Sequence, residues 1–417
     1  MAITVRTYPE SFNPVYNRIE MSCTSSNVAS ANFRFVFKLY IEDNLEATFK
    51  VNPDPDNIGY IDVSRFIASF IVEAIQDPTS TNMFEHSIDT PVRKFRIDVV
   101  EEFGTPPVEQ EEGVVTGDDV YAWSASFPTH DWIDQKNEST AFNTWLSNTI
   151  NGANVEFLTN YKTPKVSIND AGWITLLAST TSTVDYVKIV TKDSSGSTLQ
   201  TVQVNNPLTM TTTEARMTDI AFAPETLNNY SGAFVSGAQP IITSSVATYT
   251  FQIFSSLNQP VSEEITVTIE EPCKFDQYRV HFLNELGGFD AFNFQARSQE
   301  SSTATRKKYT RAKNYFDTNG AVEWNHRRNG TSDYLVKSRD KVKLRTDWLD
   351  EATQTWLKEL IESPLVYLEF TDLQGNQAFK PVYVLTSNWT KQDLEIDKLF
   401  KLEIDIDLGH ENFRQRR

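Results

Sequence analysis

The chain has 417 residues, with 38 Lys and Arg against 56 Asp and Glu for a net charge of −18, and with 27 Phe, 15 Tyr and 8 Trp within a 39% hydrophobic fraction. That much apolar and aromatic surface excludes a disordered chain, and the length implies two to four domains instead of a single core. The acidity excludes a protein that coats itself on nucleic acid over its whole surface, and two distant cysteines, Cys23 and Cys273, exclude a disulfide framework or a multi-cysteine zinc site.

Residues 1–160 read as an N-terminal mixed, β-rich domain. The opening ten residues carry no basic segment followed by an apolar run. In Asn32–Tyr40, Phe33, Phe35, Phe37 and Leu39 recur at period two, which predicts a half-buried strand. Asn52–Asn57 is a turn cluster, and a helix is expected beyond it, capped by Asp62 or Ser64, with Phe66, Ile67, Phe70, Ile71, Ala74 and Ile75 at helical spacing and a stop at Asp77-Pro78. Its most apolar part, Phe66 to Ile75, is about half the ~20 residues a membrane span needs, so no membrane association is expected. Phe95–Val100 reads as a second strand, and the acidic stretch from Glu101 to Asp119 as a long exposed loop whose carboxylates are solvated.

Residues 161–271 turn to Ser, Thr, Val and Asn, in short alternating runs between turn signals. Val184–Val190 and Leu199–Val204 flank Asp193-Ser194-Ser195-Gly196-Ser197 as a hairpin, and Ala247–Phe254 and Glu264–Ile269 continue the pattern. An antiparallel β-sandwich-like domain follows from this. Residues 272–417 read as a C-terminal α+β domain. Asp347–Glu362 shows one apolar helical stripe (Trp348, Leu349, Ala352, Trp356, Leu357, Leu360, Ile361) behind Thr346 or Asp347 as cap. Leu365–Phe370 and Ala378–Leu385 are expected to pair across Asp372–Asn376, and Lys401–Leu408 alternates with Glu403, Asp405 and Asp407 outward as a solvated face. The fold class is therefore mainly β with α+β elements, multidomain, with antiparallel sandwich-like domains and a few short helices.

The charge is unevenly spread. Residues 1–296 carry net −20, residues 297–345 net +8 and residues 346–417 net −6. In the basic segment, Arg306, Lys307, Lys308, Arg311 and Lys313, with Arg327 and Arg328, interleave with Tyr309, Tyr315, Phe316 and Trp324. One reading is a DNA contact through 297–345, with cations on phosphates and rings on bases. A second takes Lys337, Arg339, Lys341, Lys343 and Arg345 as a polar strand face. The third, favoured here, sets the basic patch of one subunit against the acidic surface of the next in a head-to-tail ring, making the protein its own partner in a cyclic homo-oligomer.

Enzymatic patterns are absent: there is no G-x-S-x-G, P-loop, G-x-G-x-x-G or H-E-x-x-H. His281, four residues before Glu285, reads as a histidine packed among aromatics beside a Gly-Gly turn and not as a general base. Asn52, Asp54 and Asp56 imitate a calcium loop but place Asn57 where the tight-turn glycine belongs and Val63 where the bidentate acid belongs. No catalytic, cofactor-binding or metal-binding residue is assigned, and the reading is non-enzymatic.

Phe282–Phe294, which contains Leu283, Asn284, Gly287, Gly288, Phe289, Asp290, Phe292 and Phe294, resembles a pattern of virion structural proteins of tailed phages infecting Bacteroidota, including crAss-like phages. Ile61–Ile67 and the C-terminal order of Trp-rich helix, Ser363-Pro364 and strands are similar to the same group. Physically, Gly287-Gly288 supplies a turn needing positive φ, Phe289, Phe292 and Phe294 anchor it in a core, and Asp290 caps it, so the motif is a structural device. The resemblance implies a tail, neck, ring or baseplate protein, made in the host cytoplasm and located in the virion beside other tail and neck proteins. The alternative is a carbohydrate-binding β-sandwich for host surface glycans, using exposed Trp123, Trp132, Trp145 and Trp173.

Overall fold

A computed structural model describes residues 2–137, 142, 144–147, 155–179, 184–210, 212–271, 274–310, 316, 318–322, 331–389 and 400–413. The protein is mostly β, with several antiparallel sheets in sandwich-like domains and only short helices. It divides into two compact units. The first comprises Met1–Glu271, Leu283–Ala291 and Asp372–Ala378, and the second Pro272–Phe282, Phe292–Thr371 and Phe379–Arg417. Residues 1–160 and 161–271 thus fall in one unit, and Phe84–His86 from the former pairs with Met217–Ala221 from the latter.

Within the first unit, one layered core lies between a three-stranded sheet (Ile3–Thr7, Glu20–Ser25, Ile58–Asp62) and a six-stranded sheet centred on Val92–Gly104 and Arg34–Ile41. The period-two run at Phe33, Phe35, Phe37 and Leu39 is buried there, against Met21, Cys23 and Ile61. A second core joins the sheets built on Trp173–Ala178 with Met217–Ala221 and on Tyr186–Lys192 with Thr248–Phe254. The hairpin expected around Asp193 forms, with Tyr186 opposite Asn205. Asp193 Oδ1 closes its turn by accepting from the amides of Ser195 and Ser197, both at 2.9 Å. Some short pairings in this unit are parallel, not antiparallel, among them Phe12–Pro14 on Val120–Trp123, Leu146–Ser147 on Trp173–Ala178, and Lys165–Val166 on Ile265–Ile269.

Both expected helices are shorter than their apolar spacing suggests. The first spans only Ser64–Ala68, because Val72–Glu73 leaves the helical path to pair with Asp89–Thr90. Asp62 Oδ1 still receives the Ser64 amide at 3.0 Å. The second is two short helices, Glu351–Trp356 and Lys358–Glu362. Its cap is Asp350, whose Oδ1 accepts from the Thr353 amide at 2.7 Å, and Trp348 stands outside, exposed. The expected loop after Val100 begins as strand: Val92–Gly104 runs on through Glu101 and Glu102, both buried. They are not solvated, because partners meet them inside. Ser25 Oγ and Asn27 Nδ2 donate to Glu101, and Lys50 Nζ reaches Glu102 Oε1 at 2.6 Å.

The Gly-Gly motif lies in the first unit as a buried turn. Asn284 holds it: its Oδ1 accepts from the amides of Leu286 and Gly288, both at 3.0 Å, and its Nδ2 donates to the Leu158 carbonyl at 2.7 Å. Trp123 Nε1 donates to the Leu286 carbonyl at 3.0 Å. Gly287 has φ +91°, and a Cβ there would lie 2.6 Å from the Ser124 carbonyl oxygen, so both the conformation and the close approach demand glycine. Asp290 is buried farther along, in Phe289–Phe294, where Phe294 is fully buried while Phe289 and Phe292 are half-buried.

Candidate functional site

The second unit's sheet orders its strands as Phe289–Phe294, Tyr278–Leu283, Val366–Thr371, Gln377–Val384, Glu403–Phe413, Thr331–Arg345 and Gln299–Thr310. Thr331–Arg345 and Gln299–Thr310 form a long hairpin carrying the basic segment. Its first strand, twelve residues, extends roughly 40 Å at the usual rise, and every side chain on it is exposed. Arg306, Lys307 and Lys308 sit here. Arg306 Nη1 meets Asp333 Oδ2 at 3.0 Å, whereas Lys307 and Lys308 make no ion pair among the described residues. Tyr309 and Tyr334 rings face each other across the hairpin, 6.4 Å apart. Arg311, Lys313, Arg327 and Arg328 lie outside the described residues.

The alternating cations of the second strand meet the alternating acids of Glu403–Phe413. In register, Arg339 stands opposite Glu411, Lys341 opposite Asp407, Lys343 opposite Asp405 and Arg345 opposite Glu403. Arg345 Nε reaches Glu403 Oε1 at 2.7 Å, Lys343 Nζ reaches Glu403 Oε2 at 3.3 Å, and Lys337 Nζ reaches Glu411 Oε2 at 2.7 Å. Lys337 also lies 4.9 Å from the centre of the Phe413 ring. Burial works to raise the Glu403 carboxyl, but the hydrogen bonds from Arg345 and Lys343 outweigh it and hold it below the usual range. The Lys337 hydrogen bond lowers Glu411 in the same direction. Asp407, expected outward and solvated, is buried.

On the opposite face, Val342, Leu344, Ile404 and Ile406 are buried. Complete burial of such side chains contributes about 1.5–3 kcal/mol each, while exposed ion pairs contribute ~0–1 kcal/mol each. The apolar face therefore supplies the stability, and the charge ladder fixes the register, since a one-residue slip would reverse both faces. The ladder also divides the basic segment in two. Cations on Thr331–Arg345 are largely matched within the chain, whereas on Gln299–Thr310 only Arg306 is, and no second strand among the described residues covers the outer edge. The sequence held a signal for this match: two period-two runs of opposite sign, Lys341/Lys343/Arg345 and Glu403/Asp405/Asp407.

A second polar cluster lies in the interior of this unit. His281 Nε2 is 2.8 Å from Glu369 Oε2, Arg279 Nε is 3.2 Å from the same oxygen, and Arg279 Nη1 donates to Asn293 Oδ1 at 2.9 Å. The His281 ring packs 4.5 Å from Phe379, and the side chains of Arg279, His281 and Glu369 are almost closed to solvent. The arrangement ties Tyr278–Leu283 to Val366–Thr371 and offers no open face to a substrate. Glu369 was missed because nothing in the sequence reveals which acid faces His281.

The four tryptophans expected to form sugar platforms do not stand exposed. Trp123 and Trp173 are buried, and Trp132 and Trp145 are half-buried against an aromatic core with Phe127 and Phe142. The exposed Trp348 carries Lys401 Nζ 4.1 Å above its ring. Asp54 closes an ordinary turn, accepting from the amides of Asp56 and Ile58, and among the described residues no group of three or more His, Cys, Asp or Glu is placed to hold a metal ion. No described helix is long and apolar enough to cross a membrane.

No protein-family model and no curated protein matches the chain. Among solved structures, it is similar to a tetra-tandem repeat in the extending region of a large adhesion protein, at 9% identity over 96% of this chain and 90% of that one, with a TM-score of 0.21. A likeness at that level carries no argument about what the protein does.

Proposed function

We propose that this protein is a structural subunit of a tailed-phage particle, a tail, neck, ring or baseplate component that assembles with copies of itself into a cyclic oligomer. The observation that carries the reading is the partition of charge between the two units. The first holds 15 Lys and Arg against 37 Asp and Glu, and the second 23 against 19. Within the second, Lys307 and Lys308, which make no ion pair among the described residues, lie on the exposed hairpin strand Gln299–Thr310. A head-to-tail contact sets the Lys307 face of that hairpin against the acidic unit of the next copy and leaves the backbone edge of the strand clear, and repetition of such a contact closes a ring. The motifs around Asn284–Phe294 and Ile61–Ile67 support a phage particle as the setting. Its neighbours there would be other tail and neck proteins.

Electron microscopy and native mass measurement of the purified chain, together with its detection in purified particles, test this reading. A discrete cyclic oligomer present in particles is expected. A chain that stays monomeric and is absent from particles refutes it.

A further inference from the structure

The strand Gln299–Thr310 ends the sheet order of the second unit. Thr331–Arg345 pairs with one of its edges, and no strand among the described residues pairs with the other. Alternate N–H and C=O groups of an antiparallel edge strand point away from its partner, so about half of this strand's backbone groups are offered outward. Two of the usual protections of such an edge, a short strand and a proline, are missing here, and its charges stand only towards its ends. The strand is twelve residues long, contains no proline, and runs in unbroken register from Gln299 to Lys307; the irregularity before Lys308 places its extra residue, Tyr334, on the partner strand. Its centre, Ser301–Thr305, is uncharged.

The charges sit at its two ends with opposite signs, Glu300 at the start and Arg306, Lys307 and Lys308 towards the finish. That order selects the partner. A parallel copy of the strand would set the lysines beside each other, whereas an antiparallel copy sets acid beside base. A two-fold axis perpendicular to the sheet keeps each face on its own side, so paired residues must be an even number of positions apart. Centring the axis on Ala304, the smallest side chain of the strand, places Glu300 of each copy opposite Lys308 of the other and Ser302 opposite Arg306.

We propose that two copies of the chain join by antiparallel pairing of Gln299–Thr310 with itself, centred on Ala304, to continue one sheet into the next. The proposal rests on the reading of the protein as a self-assembling subunit and adds a contact to it. A two-fold contact closes on itself, so it links two copies, or two rings face to face, and not successive members of one ring.

Hydrogen exchange on the full-length chain, dilute and assembled, is the test, combined with sedimentation of Glu300→Lys, Lys308→Glu and the double variant. Assembly is expected to protect those amides of Gln299–Thr310 that exchange rapidly in the dilute protein. Each single reversal sets like charges together at two symmetry-related places and is expected to weaken association about ten-fold, and the double variant to restore it to within about three-fold. Assembly with the edge amides unprotected, or a double variant no stronger than the singles, overturns this proposal alone. So does protection of the strand that appears only when duplex DNA is added. A chain that is monomeric at every concentration overturns both this proposal and the reading beneath it.

Discussion

Replacing Asn284 with alanine tests the buried turn that the Gly-Gly motif builds. The substitution strands the amides of Leu286 and Gly288, each 3.0 Å from Asn284 Oδ1, and the Leu158 carbonyl, 2.7 Å from Nδ2. A buried polar group left without its partner costs roughly 1–3 kcal/mol, and because the three share one small site their costs overlap, so Asn284→Ala should destabilise by about 3–5 kcal/mol. Urea unfolding followed by tryptophan fluorescence is suited to this, since Trp123 donates directly to the Leu286 carbonyl. Gly287→Ala, at φ +91° and with Ser124 in the way, should cost at least ~2 kcal/mol. An exposed control, Asn52→Ala, should stay within about 0.5 kcal/mol of the parent. A loss below about 1 kcal/mol for Asn284→Ala would refute the claim that its side chain holds the turn.

Three further outcomes follow from the buried and paired charges. Glu403 and Glu411 have folded carboxyls held below their ordinary values, so their contribution is present above the unfolded glutamate value of about 4.3 and is lost as the pH falls through the lower folded ones. Amide exchange in Thr331–Arg345 and Glu403–Phe413 should therefore rise below about pH 4 more steeply than in Val92–Gly104. Asp219 is raised by burial, with the Thr175 hydroxyl bond at 2.7 Å opposing the shift. Its native form holds a proton above the unfolded value and loses stability as the pH climbs through the folded one, so Asp219→Asn should raise the melting temperature at pH 7 by a margin that shrinks on acidification. Arg216 is buried and donates to the carbonyls of Thr212, Ala178, Ser179 and Met210, and Arg216→Ala, which strands them, should cost roughly 3 kcal/mol in the same urea assay.

Elements whose partners lie close along the chain were legible in the sequence. The Asp193 hairpin and the pairing across Asp372–Asn376 depend on turn chemistry that the sequence displays, and the Phe33/Phe35/Phe37/Leu39 run declares its own buried face. The first helix is shorter than its spacing suggests because Ile71 and Ile75, four residues apart, share a face in a strand as well as in a helix, and only the distant Asp89–Thr90 decides for the strand at Val72–Glu73. Glu101 and Glu102 looked like a loop because their carboxylates are tolerated inside only through Ser25, Asn27 and Lys50, all more than fifty residues away in sequence. The basic segment was visible as composition. That Lys337, Arg339, Lys343 and Arg345 are matched by Glu403–Glu411 required the register of two strands, and that Lys307 and Lys308 lie on a strand with no second neighbour among the described residues required the order of the whole sheet.

Sedimentation of the chain over a wide concentration range, at low and high salt, tests whether it assembles with copies of itself. Exposed charges that meet between copies are screened by salt. A discrete, concentration-dependent oligomer that high salt disperses is expected, and a single monomeric species at every concentration and salt would contradict self-assembly.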